Sequence, residues 1–278
     1  MGQPLSSMSR KNLLGLIAGN GKFPLLFAHE ARRQGYTIVA AGVRGDTWPL
    51  LRFLVDRYQC FRAGELKRLF SYFVDHGVRS VLMAGQVSQK NLFDPRVRLD
   101  EEFQALFDAI KDRRADTIFA AVSDKLSEYG LELLDSTFLL RQYLAPRGTL
   151  TRRGPTEVEL QDIQFGREIA KAMGGLDVGQ TVVVKEKAIV AIEAMEGTDQ
   201  TILRGGRIAR GGAVVVKMSK PKQDPRFDVP VIGTRTIKTM IRARAACLGI
   251  EAGKTLILEK ARVLKLANKA GICLVATP

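Results

Sequence analysis

The first half of the chain alternates apolar runs with amphipathic segments, and turn residues separate them. Leu13–Ala18 is a continuous apolar run that ends in a glycine turn at 19–21, and Pro24 follows where a helix would begin. Two further strands and an amphipathic helix are predicted downstream, at 36–43, 80–84 and 65–76 respectively. Buried strands that alternate with helices through short turns favour a right-handed parallel sheet between layers of helices. The amino-terminal half is therefore predicted to be a Rossmann-like α/β domain with a parallel sheet.

The second half is predicted to be a smaller α/β domain that follows a linker. Residues 146–156 are rich in proline, glycine and arginine, and Thr156 with Glu159 forms the capping-box pattern of a helix that starts directly afterwards. Further on, the sequence predicts one helix at 234–248. It also predicts five strands, at 181–185, 188–194, 213–218, 255–259 and 272–277. The predicted division is a domain at 1–145, a linker at 146–156 and a catalytic domain at 157–278.

Positive charge is concentrated in the second half. The 278 residues carry 43 Lys and Arg against 29 Asp and Glu, a net charge of +14, and +12 of this falls from residue 200 onward. Such a field indicates an anionic partner. Apolar residues at 46% and charged residues at 26% are typical of a soluble globular protein and exclude intrinsic disorder. No run reaches the ~18 apolar residues of a membrane span, and the polar start does not resemble a signal peptide, so a cytoplasmic protein is expected.

Histidine and cysteine are too scarce for several kinds of site. The two histidines, His29 and His76, cannot form a three-histidine zinc site, and both are predicted to be structural. The three cysteines, Cys60, Cys247 and Cys273, show no CxxC spacing and are predicted to be small buried residues in a reducing compartment. An enzyme of this composition would work with carboxylates, lysines, arginines and backbone amides.

Two glycine turns follow predicted parallel strands and would lie at the same edge of the first sheet. A helix that begins after such a turn presents backbone N–H groups to phosphate, which favours a nucleotide site over a plain turn. Pro24 occupies the place of a glycine in the dinucleotide fingerprint, so a nicotinamide or flavin site is not favoured. The residues predicted to contact the nucleotide are Gly19, Asn20, Gly21, Gly85, Gln86, Val87 and Ser88.

A proline-rich segment at 220–230 is the second candidate. Its three prolines favour extended geometry, in which alternate side chains share one side. The charged residues that would then line up are Lys220, Lys222, Asp224, Arg226 and Asp228. Two carboxylates among three cations suit a pyrophosphate with a divalent metal. A solvated loop with local ion pairs is the alternative that this spacing leaves open. For Glu193 and residues 196–199, helix capping is favoured over a part in the metal site.

Six short motifs, each different, are distributed along the chain. They are the turn at 14–21 with Pro24, Ala84-Gly85 with Val87-Ser88, Pro146-Arg147-Gly148, Asp177 with Gly179-Gln180, Glu196-Gly197-Thr198-Asp199, and the block from Lys220 to Gly233. The set resembles the LpxI family, the UDP-2,3-diacylglucosamine pyrophosphatases of lipid A synthesis, in that family's order over nearly the whole chain. The last block is the most specific part of the resemblance.

The resemblance implies an α/β enzyme with its active site between two domains, where the segment ending at Asp228 would face the glycine turns across a crevice. It implies hydrolysis of UDP-2,3-diacylglucosamine to 2,3-diacylglucosamine 1-phosphate (lipid X) and UMP. Asp228 would be catalytic, with Lys220 and Arg226 stabilising charge on the phosphoryl oxygens. A divalent metal, Mg²⁺ first, would bind Asp228 and Asp199. Substrate contacts in the second domain would come from Gly197, Thr198, Asp199 and Gln223.

The implied partners are the lipid substrate and an anionic membrane surface, with the enzyme peripheral at the inner face of the inner membrane. The oligomeric state stays open, and a homodimer is one candidate. Two other functions compete. The net charge would suit nucleic-acid binding, although aromatic residues make up only 7% and no RNA-binding strand motif occurs. A nucleotide-sugar binding protein or transferase could use the same glycine turns without hydrolysis.

Overall fold

The chain forms two compact units in the computed structural model, which describes residues 12–87 and 97–278. The division falls between Leu139 and Leu140. Residues 146–156, predicted as a linker, take part in the second unit. Gly148–Thr149 pairs antiparallel with the last strand of the chain, and Thr151 Oγ1 accepts the N–H of Leu274 at 2.9 Å.

The first unit contains a parallel sheet, as predicted. Its strands are β1 Leu13–Ala18, β2 Thr37–Val43, β3 Arg57–Phe61, β4 Ser80–Ala84 and β5 Glu132–Leu133. They lie in the order β3-β2-β1-β4-β5, and every neighbouring pair is parallel. Six of the seven residues of β2 are buried, as expected of a strand that is covered on both faces.

Strand β3 was missed because it lies at the sheet edge and lacks an apolar run. Only Phe61 among its five residues is buried, so the pattern of a core strand is absent. Cys60 lies on this strand and is exposed, so the prediction that all three cysteines are buried is wrong for Cys60. Cys247 and Cys273 are buried, as predicted.

The helices of the first unit are α1 Phe23–Arg33, α2 Leu66–Asp75, α3 Glu101–Ala109 and α4 Ala115–Glu128, with a short 3-10 helix at Pro49–Phe53. Pro24 lies in the first turn of α1, as predicted, where the missing N–H is not needed. His76 ends α2, and its Nδ1 lies 2.7 Å from the Tyr72 carbonyl oxygen, which is a structural role.

The second unit is built on a mixed sheet. Its strands are β6 Gly148–Thr149, β7 Thr181–Lys185, β8 Ala188–Ile192, β9 Val214–Lys217, β10 Val231–Ile232, β11 Cys247–Glu251, β12 Leu256–Ile257 and β13 Cys273–Thr277. Six of them form a sheet in the order β6-β13-β11-β9-β7-β8, and β10 pairs with β12 separately. Strands β9, β11 and β13 are parallel, whereas β7 runs antiparallel to both of its neighbours.

Four helices belong to the second unit, α5 Glu157–Gly175, α6 Thr198–Ala209, α7 Thr234–Ala243 and α8 Lys260–Lys269. The capping box of Thr156 and Glu159 is present at the start of α5, as predicted. Helix α7 is shorter than predicted because Arg244 adopts a left-handed conformation, with φ of 53°, and the chain then enters β11. In neither described range is any helix both long enough and apolar enough to cross a lipid bilayer.

Candidate active site

One edge of the second sheet gathers polar and charged residues from four strands. Thr181 begins β7 and pairs with Lys217 at the end of β9, because these two strands are antiparallel. Lys217 also pairs with Ile250 near the end of the parallel strand β11, and Glu193 follows the end of β8. The topology therefore brings the ends of β8, β9 and β11 and the start of β7 to one place.

Lys220 lies just after β9 at this edge, between two carboxylates. Its Nζ is 2.5 Å from Asp177 Oδ1 and 3.3 Å from Asp228 Oδ2. The side chains of Lys220 and Asp177 are 9% and 7% exposed, whereas that of Asp228 is 23% exposed. Asp228 is therefore the carboxylate of this cluster that is open to a ligand, and a buried cation lies directly beside it.

Two glutamines hold this cluster in place. Gln180 Nε2 donates to Asp228 Oδ1 at 3.2 Å and to Oδ2 at 3.3 Å. Gln223 Nε2 donates to the Asp228 carbonyl oxygen at 2.8 Å, and its Oε1 accepts the Lys220 N–H at 2.5 Å. Gln223 was predicted to contact substrate. In this structure its side-chain amide forms hydrogen bonds with the two ends of its own loop, at Lys220 and Asp228. Asp228 is thus fixed through both its side chain and its backbone.

Glu251 anchors the segment just before Lys220. Its Oε2 accepts from the Ser219 N–H at 3.0 Å, from the Ser219 hydroxyl at 2.5 Å and from Lys171 Nζ at 2.7 Å. Lys254 Nζ lies 2.9 Å from Oε1. Burial alone would raise the pKa of Glu251, but the hydrogen bonds from Lys171, Ser219 and Lys254 lower it to about 2. Glu251 is therefore ionised and holds Ser219, and with it Lys220, in position.

A second lysine connects the sheet edge to the start of α6. Lys217 Nζ donates to Thr198 Oγ1 at 2.9 Å and to Thr181 Oγ1 at 3.3 Å, and Thr198 donates to Glu193 Oε1 at 2.8 Å. Gly197 precedes the helix with φ of 82°, a conformation that favours glycine. Helix capping was predicted for residues 196–199, but the residue that precedes α6 is Gly197 and no side chain caps the helix, so that prediction is wrong. The Thr198 hydroxyl belongs instead to this polar network.

The two predicted metal ligands belong to different clusters. Asp228 contacts Gln180 and Lys220, whereas Asp199 Oδ2 forms an ion pair with Arg235 and its Oδ1 accepts from Thr239 at 3.1 Å. The Asp199 carboxylate therefore already has one cationic partner, Arg235, and one hydroxyl partner, Thr239. A metal site made of Asp199 and Asp228 stays a prediction, and in this structure the two carboxylates contact different side chains.

The segment at 220–230 forms turns and is not extended, so the predicted alignment of five charged side chains is wrong. Asp228 N donates to the Asp224 carbonyl oxygen at 3.1 Å, because proline geometry suits turns as well as extended chain. Arg226 Nη2 lies 2.7 Å from Asp224 Oδ2, and hydrogen bonds from Arg226 lower the pKa of Asp224. The structure brings Lys220 and Asp228 together, while Asp224 and Arg226 form a local pair.

In the first unit, the two glycine turns lie against one another, as expected of neighbouring parallel strands. Gly19 N donates to the Ala84 carbonyl oxygen at 2.8 Å, and Asn20 N donates to the Gln86 carbonyl oxygen at 2.7 Å. A Cβ on Gly19 would lie 2.6 Å from the Gln86 carbonyl oxygen, so the close approach requires glycine. Gly21 and Gly85 have φ of 92° and 84°, and Val87 is half-buried. Ser88 lies outside the described residues.

The oxygen donors around Asp228 fit a divalent cation only in part. Gln180 Oε1 is buried and has no hydrogen-bond partner within the described part of the chain, and it adjoins the Asp228 carboxylate. Across 12–87 and 97–278, however, no three His, Cys, Asp or Glu residues group together as metal ligands would. This donor set suits Mg²⁺ that is shared with substrate phosphates, and it does not form a cage made of protein alone.

Asp177, Gln180, Lys217 and Glu251 were not among the predicted site residues. Asp177 and Gln180 were noted only as part of a motif. A sequence signal for them exists, because each lies at the end of a strand or shortly before the start of one, and two of those three strands, β7 and β9, were predicted. The missing step was that β7 is antiparallel to β9, which places its first residues beside the last residues of β9.

Known proteins resemble both units. Two family models match consecutive parts of the chain, the LpxI N-terminal domain over residues 13–143 and the LpxI C-terminal domain over residues 146–275. A protein of Caulobacter vibrioides named UDP-2,3-diacylglucosamine pyrophosphatase LpxI is 31% identical over 271 residues, which cover 93% of this chain and 95% of that protein.

Solved structures give only remote likenesses. The biotin carboxylase subunit of pyruvate carboxylase is 13% identical with a TM-score of 0.26, over 72% of this chain and 41% of that one. The biotin carboxylase domain of Hydrogenobacter thermophilus 2-oxoglutarate carboxylase is 11% identical with the same TM-score, over 70% and 41%. At that level the likeness supports no conclusion about fold or function.

Proposed function

This chain belongs to the LpxI family, and we propose that it hydrolyses the pyrophosphate of UDP-2,3-diacylglucosamine to 2,3-diacylglucosamine 1-phosphate (lipid X) and UMP, a step of lipid A biosynthesis. The observation that carries the proposal is the relative named for this activity, which is 31% identical over nearly the full length of both chains. The cluster around Asp228 supplies groups that such a hydrolysis needs, a carboxylate open to a ligand beside a buried cation.

The chemistry is assigned to the loop after β9. Lys220 Nζ, 3.3 Å from the Asp228 carboxylate, would stabilise negative charge that develops on the phosphoryl oxygens. Asp228 would orient the attacking water, since Gln180 and Gln223 fix its side chain and its backbone. Asp177 would keep the Lys220 side chain in place at the site through their ion pair. Arg226 would act on phosphate only after it exchanges Asp224 for the substrate, because the two now form an ion pair.

A divalent metal, with Mg²⁺ as the favoured candidate, would be held by Asp228, the Gln180 side-chain oxygen and the substrate phosphates. When bound, such a cation neutralises phosphoryl charge and lowers the pKa of a bound water. Asp199 is not assigned to it, because Arg235 and Thr239 already occupy that carboxylate.

The uridine nucleotide is assigned to the glycine turns of the first unit. Asn20 and Gln86 form a backbone bridge there, at the carboxyl ends of β1 and β4, and both are exposed. The amino terminus of α1 follows directly, and such a helix start attracts phosphate. Ligands of open parallel sheets bind at this edge of the strands. The enzyme would act in the cytoplasm as a peripheral protein at the inner face of the inner membrane.

The test is the release of UMP from UDP-2,3-diacylglucosamine in water without an added acceptor. Asp228→Asn keeps the shape of the side chain and is expected to reduce kcat by about 10²-fold or more. Asp224→Asn is the matched control, since Asp224 lies four residues away on the same loop and pairs with Arg226. Its activity is expected to stay within a few-fold of wild type.

Three results would contradict the proposal. Activity of Asp228→Asn close to wild type would remove Asp228 from the chemistry. A requirement for an acceptor would favour the transferase alternative, and affinity for nucleic acid above that for UDP-sugars would favour the nucleic-acid alternative.

A further inference from the structure

Three exposed apolar side chains lie together on the 3-10 helix at Pro49–Phe53 and just before it. Trp48, Leu50 and Phe53 are 37%, 59% and 65% exposed, whereas Leu51 between them is completely buried. Leu51 therefore anchors the short helix to the core, and its neighbours must point outward. A soluble protein rarely groups its largest apolar side chains on one exposed turn unless the turn has a partner.

The exposed charge around this turn is mainly positive. Arg44 and Arg52 are exposed, and the Arg52 guanidinium lies 4.5 Å from the centre of the Phe53 ring. Of the two acidic residues in the same stretch, Asp46 is buried, while Asp56 is exposed and accepts the Ile38 N–H at 2.8 Å. An aromatic and aliphatic tip with arginines beside it is the composition of a segment that enters the headgroup region of an anionic bilayer.

The same turn is attached to the proposed nucleotide site. Trp48 Nε1 donates to Asn20 Oδ1 at 3.2 Å, and the Thr47 hydroxyl donates to the Ala18 carbonyl oxygen at the end of β1. A partner bound at the turn would therefore lie close to the glycine turn that follows β1.

We propose that Trp48, Leu50 and Phe53, with Arg44 and Arg52, form a membrane-docking patch that inserts into the headgroup region of an anionic lipid bilayer. This deepens the proposed function, because a diacylated substrate resides in such a bilayer. A second copy of the chain is disfavoured as the occupant, since a two-fold contact through this patch would place its arginines opposite one another.

Trp48 is the only tryptophan of the chain, so intrinsic fluorescence reports on this patch alone. Full-length protein is mixed with substrate-free vesicles of phosphatidylethanolamine and phosphatidylglycerol, or of phosphatidylcholine alone. We expect a blue shift and quenching by brominated lipid with the anionic vesicles only, and both should weaken as salt is added.

The test variant is Leu50→Ser/Phe53→Ser, which keeps Trp48 as the reporter. Its partition onto anionic vesicles should fall about tenfold or more, because binding scales with the apolar area that is inserted. The matched control is Val74→Ser/Ile208→Ser, at side chains that are 45% and 56% exposed elsewhere. This control should bind vesicles as wild type does.

The outcomes separate this proposal from the enzymatic one. Hydrolysis of substrate in detergent micelles should be equal in wild type and in the Leu50→Ser/Phe53→Ser variant, while hydrolysis in vesicles should fall. Unchanged Trp48 emission with vesicles that nevertheless bind the protein would overturn the docking patch. So would equal partition of variant and wild type, or a vesicle-independent oligomer that the variant loses. Failure of hydrolysis in micelles by wild type would instead overturn the enzymatic function alone.

Discussion

Glu251→Gln is expected to weaken the second unit by an amount that depends on pH. The Glu251 side chain is 4% exposed and contacts Lys171, Lys254 and Ser219. The fall of its pKa from 4.5 to about 2, with one pKa unit worth about 1.4 kcal/mol, corresponds to about 3 kcal/mol of folding free energy at neutral pH. The variant keeps the size of the side chain and removes its charge.

The sign of the pH dependence follows from the direction of the shift. The folded protein holds Glu251 ionised to a lower pH than the unfolded chain does, so this stabilisation is complete above pH 4.5. It is lost as the pH falls from 4.5 towards 2. The difference between wild type and variant should therefore be about 3 kcal/mol at pH 7 and should shrink steadily below pH 4.5.

Urea unfolding followed by far-UV circular dichroism measures this difference at pH 7, 5, 4 and 3. Glu168→Gln is the control, because it makes the same chemical change at an exposed position of α5 in the same unit. A stability difference for Glu251→Gln that is equal at pH 7 and pH 3 would refute the linkage argument. If Glu168→Gln lost as much folding stability, burial and pairing of Glu251 would not be the cause of the loss in Glu251→Gln.

Three further predictions concern the site. Lys220→Met leaves Asp177 and Asp228 without their shared cation, so urea unfolding should show a loss of about 3 kcal/mol or more, and a loss below about 1 kcal/mol would contradict the buried ion pair. Gly19→Ala would place a Cβ 2.6 Å from the Gln86 carbonyl oxygen and should cost about 1–3 kcal/mol, measured by thermal unfolding with Trp48 fluorescence; an unchanged midpoint would show that the turns are not packed so closely. EDTA should stop UMP release and Mg²⁺ should restore it, with no change in the melting temperature, because no three-residue cage of His, Cys, Asp or Glu occurs in the described ranges; a lower melting temperature in EDTA would reveal a structural metal instead.

The sequence predicted the first unit well because its core strands are continuous apolar runs that end in glycine. Strands Leu13–Ala18 and Ser80–Ala84 were predicted with the bounds that the structure shows. Edge strand β3 and strand β11 escaped prediction for different reasons. The former is too exposed to show a run, and the latter follows directly on α7, where only the left-handed Arg244 marks the end of the helix.

The candidate site was harder to predict because it depends on pairing between distant strands. Lys220 and Asp228 were identified from one local block, but their partners Asp177 and Gln180 lie some forty residues earlier in the chain. Glu251 comes from yet another strand and carries no local motif. Only the order and direction of β7, β9 and β11 bring these groups together, and a sequence read one segment at a time does not contain that information.

The distribution of cysteines and tryptophan provides a separate native probe for each unit. Trp48 and the exposed Cys60 belong to the first unit, while Cys247 and Cys273 are completely inaccessible on adjacent central strands of the second. In native protein a thiol reagent should therefore modify one cysteine, and modification of the other two should report the opening of the second unit. Thiol labelling and tryptophan emission together can follow the loss of each unit in the chain of natural sequence, without any amino-acid substitution.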